Sequence, residues 1–249
     1  MSPVADSVRS SGYGVLAGLL DPDEVDRSIE ALEDVFARED DIARRRQWLT
    51  SSYRVTYMAP AKHPVFLDLC RRGPLVDLAE EVLGPDLVFA GFNGMAMVPG
   101  GDGQTLHRDH PVLTPGVTLY LHAVVALDRF TTANGATRIV PGSHRDGSSE
   151  AGERSEVEAV SVELAPGDAV VFDATCLHAG SANTTSQHRR ALHIFFCRGW
   201  IQPHWDFRAS LRPDDAALLD DERRRLLGFD RRAARYDHTQ RRSYGLGWG

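Results

Sequence analysis

Residues 87–98 read LVFAGFNGMAMV, and residues 99–104, PGGDGQ, follow them directly. The apolar and aromatic residues of the first stretch favour a β-strand, whereas the proline, glycines and aspartate of the second are typical of a turn. Short apolar runs separated by turn residues continue to residue 197. The pattern predicts strands near residues 87–98, 117–127, 138–140, 157–164, 169–172 and 190–197.

No helical pattern separates one predicted strand from the next. Short consecutive strands joined by turns favour an antiparallel sandwich or barrel over a parallel α/β sheet. The sequence therefore predicts a mainly β protein, with helices on either side of the strands.

The segment before the strands carries helix signals. Asp21 precedes Pro22 and stands three positions before Glu24, so a capping aspartate, a first-turn proline and a capping-box acid coincide. The apolar residues that follow share one helical face, and they are Val25, Ile29, Leu32, Val35 and Phe36.

Two further helices are predicted. One ends at Gly84-Pro85, and its apolar residues are Leu75, Leu78 and Val82. The other is a single helix over residues 213–227 that closes before Gly228.

A chain of 249 residues, 42% hydrophobic and 25% charged, has the length and composition of one folded domain. We predict a single domain over residues 1–249. Within it, residues 1–85 are expected to form a helical part, residues 86–200 the β core and residues 201–249 a helical tail.

The charge pattern bears on the class of partner. The formal net charge is −7, and the arginines of residues 44–46 and 223–225 lie among acidic residues, as on solvated helix faces. Nucleic acid and anionic membranes are therefore poor candidates, and no apolar run reaches the length that spans a bilayer. We expect a small-molecule substrate, with the oligomeric state open.

The cysteines bear on the compartment. Cys70, Cys176 and Cys197 are few and odd in number, and the N-terminus lacks the basic-then-apolar pattern of a signal peptide. These features favour a reducing cytoplasm, where a free cysteine usually acts as a small buried hydrophobe.

His107 and Asp109 lie two positions apart, and His178 follows 69 positions after Asp109. On an extended segment, side chains two positions apart point the same way. Two imidazoles and one carboxylate are the set that holds ferrous iron on one face and leaves other positions open. The three residues are therefore candidate iron ligands.

A second tripeptide of the same type, His144-Arg145-Asp146, is present. A surface loop is the alternative interpretation for either tripeptide alone. His144 follows the turn residues Pro141-Gly142-Ser143, whereas His107 has a downstream partner in His178. We therefore favour the first tripeptide as the metal site.

Arg189 and Arg190 begin a predicted strand. A planar guanidinium binds a carboxylate through two hydrogen bonds, as the anchor of a keto-diacid co-substrate must. Neighbouring residues of a strand face opposite sides, so periodicity alone does not decide which arginine points inward. An exposed, salt-bridged arginine is the alternative for either.

These residues belong to a longer set of motifs that resembles the phytanoyl-CoA dioxygenase family of iron(II)/2-oxoglutarate-dependent oxygenases. The motifs occur in the family's order over roughly residues 95–200, and they are QTLHRD (104–109), ALD (126–128), NGATRIVPGSH (134–144), PGD (166–168), LHAG (177–180) with Asn183, and RRAL (189–192).

The resemblance implies a double-stranded β-helix, that is, a jelly roll of the cupin-like type. It implies that His107, Asp109 and His178 bind Fe(II), that Arg189 binds 2-oxoglutarate, and that O2 is the oxidant. It also implies that Thr137 and Gln104 lie near the co-substrate, and that residues 141–144 are a structural turn.

Two positions carry further expectations from the resemblance. Several members have a serine where this chain has Gly180, which affects one hydrogen bond to 2-oxoglutarate. Halogenating relatives replace the ligand carboxylate with a small residue, so Asp109 argues against halogenation.

Two segments are candidates for covering the site. One includes Trp48, Tyr53, Arg54 and Tyr57, and the other runs from Trp200 to Trp205 with His204. Aromatic residues with an interspersed arginine and histidine would suit a polar, ring-bearing molecule, although packing between helices and sheet is the alternative for each tryptophan.

The sequence thus predicts a non-haem iron oxygenase that oxidises a small molecule, with a tailoring step in natural-product biosynthesis expected by analogy. Hydroxylation, cyclisation, desaturation and epimerisation stay open. Two rivals remain: a cupin-like metal enzyme that does not use 2-oxoglutarate and so does not need Arg189, and a non-catalytic jelly-roll binding protein.

Overall fold

The computed structural model describes residues 2–46, 50–71, 73–110, 112–114, 116–145, 157–231, 235–237 and 242–244. The helices are α1 (Pro3–Ser11), α2 (Pro22–Arg45), α3 (Pro64–Leu69), α4 (Pro74–Leu83), α5 (Phe207–Ser210), α6 (Pro213–Ala217) and α7 (Asp221–Leu226). The strands are β1 (Tyr13–Leu16), β2 (Tyr53–Thr56), β3 (Leu87–Met97), β4 (Tyr120–Ala126), β5 (Thr137–Ile139), β6 (Val160–Val162), β7 (Ala169–Asp173), β8 (His178–Gly180), β9 (Arg189–Arg198), β10 (Arg235–Asp237) and β11 (Arg242–Tyr244).

Two antiparallel sheets form the centre of the fold. The larger has the strand order β1-β7-β4-β9-β3-β2, and the smaller has the order β6-β5-β8. Apolar side chains of both sheets meet in one buried cluster, which joins Val124, Val170 and Phe172 to Ile139 and Val162. The predicted mainly β jelly roll with flanking helices is confirmed.

The strand β9 lies between β3 and β4 and has two chemically different faces. Leu192, Ile194 and Phe196 belong to the buried cluster that the helices also join. Arg189 and His193 lie on the other face and line a cavity between the sheets. One strand therefore supplies both the packing of the helices and part of the site.

The helix α2 begins as its sequence predicts. The Asp21 carboxylate accepts the backbone N–H of Glu24 at 2.8 Å, and the Glu24 carboxylate accepts that of Asp21 at 3.2 Å. Leu32 is fully buried against the larger sheet, and a Cβ atom at Gly94 of β3 would collide with it. Glycine at that position therefore lets α2 approach β3 closely. Among the helices of the described ranges, none has the length and apolar character needed to cross a bilayer.

The six predicted strands occur within three residues of their expected bounds, but other expectations were wrong. The part expected to be helical contains two strands, β1 and β2, and the smaller sheet contains the unpredicted β8. These strands have four residues or fewer, and pairing with β7, β3 and β5 defines them. A strand of four residues or fewer is too short for its sequence pattern to predict it.

The helix predicted over residues 213–227 is two short helices, α6 and α7. The Asp220 carboxylate accepts the backbone N–H of Arg223 at 2.8 Å and so caps the start of α7. An N-cap inside the predicted helix starts a new one, because the capping residue adopts extended backbone angles.

We expect Leu32→Ala to lower the free energy of unfolding by about 2–5 kcal/mol, because it leaves a cavity between α2 and β3. Urea unfolding followed by circular dichroism measures the loss. Ile42→Ala is the matched control on the same helix, since Ile42 is 44% exposed, and it should change the value by less than about 0.5 kcal/mol. Equal losses in the two variants would contradict this packing.

Candidate metal centre and adjoining pocket

The structure brings His107, Asp109 and His178 together at the edge of the smaller sheet. His107 pairs with His178 of β8, and each backbone N–H donates to the other residue's carbonyl oxygen at 2.9 Å. The Asp109 carboxylate lies 3.5 Å from His107 Nε2 and 3.3 Å from His178 Nε2. The three candidate ligand atoms lie within 4.8 Å of one another, so one metal ion could contact all of them.

Backbone carbonyls fix the orientation of both imidazoles. His107 Nδ1 lies 2.9 Å from the carbonyl oxygen of Thr105, and His178 Nδ1 lies 3.1 Å from that of Cys176. A carbonyl oxygen only accepts hydrogen bonds, so each Nδ1 carries the proton. Nε2 is then the atom that faces Asp109: without a metal a proton on Nε2 can donate to the carboxylate, and when that proton leaves, the Nε2 lone pair is free to bind a metal.

A third histidine, His122 of β4, is hydrogen-bonded to the Asp109 carboxylate. Its Nδ1 lies 2.9 Å from Asp109 Oδ2, and its ring packs edge-on against Phe172 and Phe195. The side chain is buried, and burial lowers its pKa, which favours the neutral ring. Nδ1 must donate to the carboxylate, so Nε2 carries no proton, and it has no hydrogen-bond partner.

The carboxylate of Asp109 is ionised. Burial raises its pKa, but hydrogen bonds from His107, His122 and His178 act the other way and hold the pKa well below its usual range. The hydrogen bond to Asp109 in turn raises the pKa of His107, against the effect of its partial burial. Once a cation displaces the Nε2 protons, one carboxylate and two imidazole nitrogens form the donor set expected for a divalent metal.

Arg189 lies deep in the same cavity, opposite Met97 in the sheet, and is 3% exposed. Its guanidinium carbon is 4.3 Å from the centre of the Phe130 ring, but its Nε and Nη1 atoms are buried without hydrogen-bond partners. Burial lowers its pKa to about 10, although Asp128 opposes that effect. A buried cation with unused donors fits an anionic group of a ligand.

Arg190 faces the opposite side of the sheet. Its Nε and Nη2 atoms donate to the two oxygens of Asp128 at 2.9 and 2.8 Å, and Glu33 of α2 lies 3.4 Å from its Nη1. The register of β9 therefore decides between the two arginines, and Arg189 is the one inside.

Thr137 and Gln104 line the cavity together with Arg189. The side-chain oxygen of Gln104 accepts the backbone N–H of Gly180 at 2.9 Å. A Cβ atom at Gly180 would lie 3.2 Å from that oxygen, which is a tight contact. Glycine at this position thus leaves room for Gln104 beside β8.

The cavity has a volume of about 590 Å³ and contains the inner faces of both sheets. Tyr53, Tyr57, His204 and Trp205 of the two predicted covering segments line it, whereas Trp200 is not in its lining and is 72% exposed. The side chain of Arg54 points away, toward Asp40 and Phe36 of α2. Trp48 lies outside the described residues.

The second tripeptide and two of the cysteines are not part of the His-Asp-His cluster. His144 of the second tripeptide is nearly buried, with Nε2 3.2 Å from the carbonyl oxygen of Arg9 in α1, while Asp146 lies outside the described residues. Burial raises the pKa of both Cys176 and Cys197 to about 12, so both are inert thiols.

Two more histidines, His193 and His110, differ in whether they line the cavity. His193 lines the cavity, and burial lowers its pKa to about 3, with the charge of Arg189 acting in the same direction. His110 lies outside the cavity lining, where its ring is 5.0 Å from that of Tyr120. No local motif in the sequence singles out His122 or His193, because their roles depend on cross-strand neighbours.

Sequence comparison identifies relatives of this chain. The family described as Phytanoyl-CoA dioxygenase (PhyH) matches residues 8–191. Dioxygenase FUM3 of Gibberella moniliformis is 33% identical over 155 residues, which are 59% of this chain and 51% of FUM3. The iron/alpha-ketoglutarate-dependent dioxygenase okaE of Penicillium ochrochloron is 36% identical over 45% of this chain and 39% of okaE. The matches thus span about half of these two relatives or less.

Some relatives match along the whole chain. The uncharacterized protein Rv1501 of Mycobacterium tuberculosis is 26% identical over 100% of this chain and 96% of its own length. Among solved structures, the epimerase SnoN in complex with Fe3+, alpha ketoglutarate and nogalamycin RO has a TM-score of 0.65 at 20% identity, covering 78% of this chain and 82% of SnoN. This likeness supports the fold.

We expect His122→Phe to weaken binding of a divalent metal by about 10- to 100-fold, because the carboxylate of Asp109 loses the donor that orients it. Titration of the metal-free protein with Co(II), followed by visible absorption, measures the dissociation constant. The aromatic ring of the variant keeps the packing against Phe172 and Phe195.

His122→Asn is the rescue variant, because its amide can donate to Asp109 from a similar position. It should recover most of the lost affinity. Wild-type affinity in His122→Phe would show that the hydrogen bond does not position the carboxylate.

Proposed function

Because the chain belongs to the phytanoyl-CoA dioxygenase family, we propose that it is an Fe(II)/2-oxoglutarate-dependent oxygenase that oxidises a small molecule. The observation that carries this proposal is the shared cavity, in which a His-Asp-His cluster and a buried guanidinium with two unpaired donor atoms face the same space. A metal enzyme that does not use the co-substrate would not need Arg189 there.

In this proposal His107, Asp109 and His178 hold the iron. Backbone carbonyls turn the two imidazoles, and His122 turns the carboxylate, so the ligands are oriented before the metal binds. When bound, iron(II) and 2-oxoglutarate supply the activation of O2 and the oxidation of a substrate carbon, with 2-oxoglutarate leaving as succinate and carbon dioxide.

Arg189 binds the carboxylate of 2-oxoglutarate that lies away from the metal, and its burial makes this ion pair strong because water is excluded. Thr137 and Gln104 lie beside it as neutral hydrogen-bonding groups. Gln104 is held in place by the N–H of Gly180, so its side-chain NH2 is directed by a fixed contact.

The substrate is proposed to be a specialised metabolite in natural-product biosynthesis. Support comes from relatives and structural neighbours: okaE is an iron/alpha-ketoglutarate-dependent dioxygenase, and SnoN is an epimerase from nogalamycin biosynthesis. The carboxylate of Asp109 argues against halogenation, since a halide would need a ligand position that the carboxylate fills in this proposal. We infer one oxygenase domain over residues 1–249, since β1 and β2 of the N-terminal part belong to the larger sheet, and a cytoplasmic setting, which suits three unpaired cysteines.

Anaerobic titration of the metal-free protein with Fe(II) and then 2-oxoglutarate tests the proposal, through the weak visible charge-transfer band of a chelated keto acid. The band should appear in the wild type and be lost in His107→Ala. Arg189→Ala should need at least about thirtyfold more 2-oxoglutarate, because removing one partner of a buried charge pair costs about 2 kcal/mol or more.

Arg190→Ala is the matched control, since Arg190 faces α2 and Asp128. It should titrate like the wild type once circular dichroism shows that it is folded. Iron binding without the band would favour a cupin-like metal enzyme that does not use 2-oxoglutarate. Failure to bind iron would contradict the assignment of His107, Asp109 and His178 as a metal centre.

A further inference from the structure

One side of the cavity is an apolar and aromatic surface, which we call the substrate wall and define as Tyr53, Val55, Tyr57, Met95 and Trp205. Val55 of β2 pairs with Met95 of β3, and Tyr53 and Tyr57 flank Val55 on the same face. Trp205 comes from the segment after β9, and its backbone N–H donates to the carbonyl oxygen of Ala90 at 3.1 Å. The wall is therefore fixed to the β2–β3 edge of the larger sheet.

The rings of Tyr57 and Trp205 at the rim of the cavity have packing neighbours but remain partly exposed to solvent. The rings of Tyr57 and Trp205 are 5.8 Å apart between centroids and tilted by 55°. Trp205 packs over Gly91, where a Cβ atom would lie 3.2 Å from the indole ring. Even so, Tyr57 is 51% and Trp205 39% exposed. Apolar surface kept exposed at the mouth of a cavity marks a binding site, and aromatic rings bind other rings well.

The cations near this wall are turned away from it. Alternation along β2 places Arg54 on the opposite face, where it pairs with Asp40 and lies 4.4 Å from the Phe36 ring. Lys62 pairs with Glu39 and donates to Thr56 Oγ1 at 2.8 Å on that same face. The wall thus offers no cation to a bound molecule.

The ionised side chains elsewhere in the cavity already have ligands in the proposed function. Apart from histidines, the described residues that line the cavity include two ionised side chains, Asp109 and Arg189. In the proposed function the first binds iron and the second binds 2-oxoglutarate. A substrate carboxylate or phosphate placed deep in this space, beneath the exposed rim, would therefore meet no further ionised partner among the described lining residues, which is unfavourable for a buried charge.

From these observations we propose that the oxidised substrate is an uncharged, ring-bearing small molecule seated against the substrate wall, and that acyl-CoA thioesters are rejected. The proposal rests on the proposed function, because it assigns Asp109 and Arg189 to the metal and the co-substrate. The hydroxyls of Tyr53 and Tyr57 in the wall, and the ring of His204 elsewhere in the cavity lining, can hydrogen-bond neutral hydroxyl or carbonyl groups.

The test compares three probes on the protein loaded anaerobically with Fe(II) and 2-oxoglutarate: 2-naphthol, which is neutral at pH 7, 2-naphthoate, which is anionic, and benzoyl-CoA, which joins a ring to phosphates. Calorimetric titration gives each dissociation constant. We expect 2-naphthol to bind at least about tenfold more tightly than 2-naphthoate and benzoyl-CoA to show no binding.

Two tryptophan variants locate the binding surface. Trp205→Ala should weaken 2-naphthol binding by about tenfold, because a buried aromatic contact is lost. Trp200→Ala is the matched control five positions earlier, and it should bind like the wild type because Trp200 lies outside the cavity lining.

The inference is overturned if 2-naphthol does not bind, if either anionic probe binds as tightly as it does, or if Trp205→Ala binds like the wild type. The charge-transfer band recorded in the same samples reports separately on the proposed function. A band without preference for the neutral probe refutes the substrate class alone, whereas a missing band in the wild type refutes the proposed function.

Discussion

The register of β9 is the constraint on which the rest of the structure depends. This strand pairs with β3 on one side and β4 on the other, so its position is fixed twice. In this register Arg189 and His193 face the cavity, while Leu192, Ile194 and Phe196 pack beneath the helices. A shift by one residue would exchange the two faces and place Arg190 in the cavity. The core and the site therefore select the same register, and the bonds between Arg190 and Asp128 add to that selection.

The metal centre depends on a second pairing, between His107 and His178. Two backbone hydrogen bonds join these residues, so the imidazoles are brought together by the main chain before any metal binds. The Asp109 carboxylate is then stabilised by hydrogen bonds from three imidazoles, one of which is itself buried in the larger sheet. Orientation and charge are thus both set by the protein, which is what a metal site with open positions requires.

The sequence was informative where the signal is local. The capping residues before α2 and the apolar, strand-favouring residues of β3 and β9 predicted these elements, and the motif around His107 with the downstream His178 predicted the cluster. It failed for β1 and β2, which are strands because β7 and β3 pair with them, and for the helix that Asp220 interrupts. The contact of His122 with Asp109 was beyond reach for the same reason, since it joins residues on different elements. Which arginine faces inward likewise became visible only through the register.

The least satisfied group in the cavity points to what the cavity holds. Burying a guanidinium costs several kcal/mol, and its contact with the Phe130 ring returns about 2 kcal/mol at most. Asp128 acts on Arg189 but is itself bonded to Arg190, and the lowered pKa of Arg189 shows that desolvation exceeds this help. Other interactions of the fold must offset the remaining free-energy cost while the donors of Arg189 are unpaired.

A ligand that brings a carboxylate to Arg189 removes this cost, so its binding stabilises the folded state as well as filling the site. A dicarboxylate that also reaches the metal meets both demands at once, whereas a monocarboxylate meets only one. The cavity thereby favours a doubly charged co-substrate before any substrate is bound.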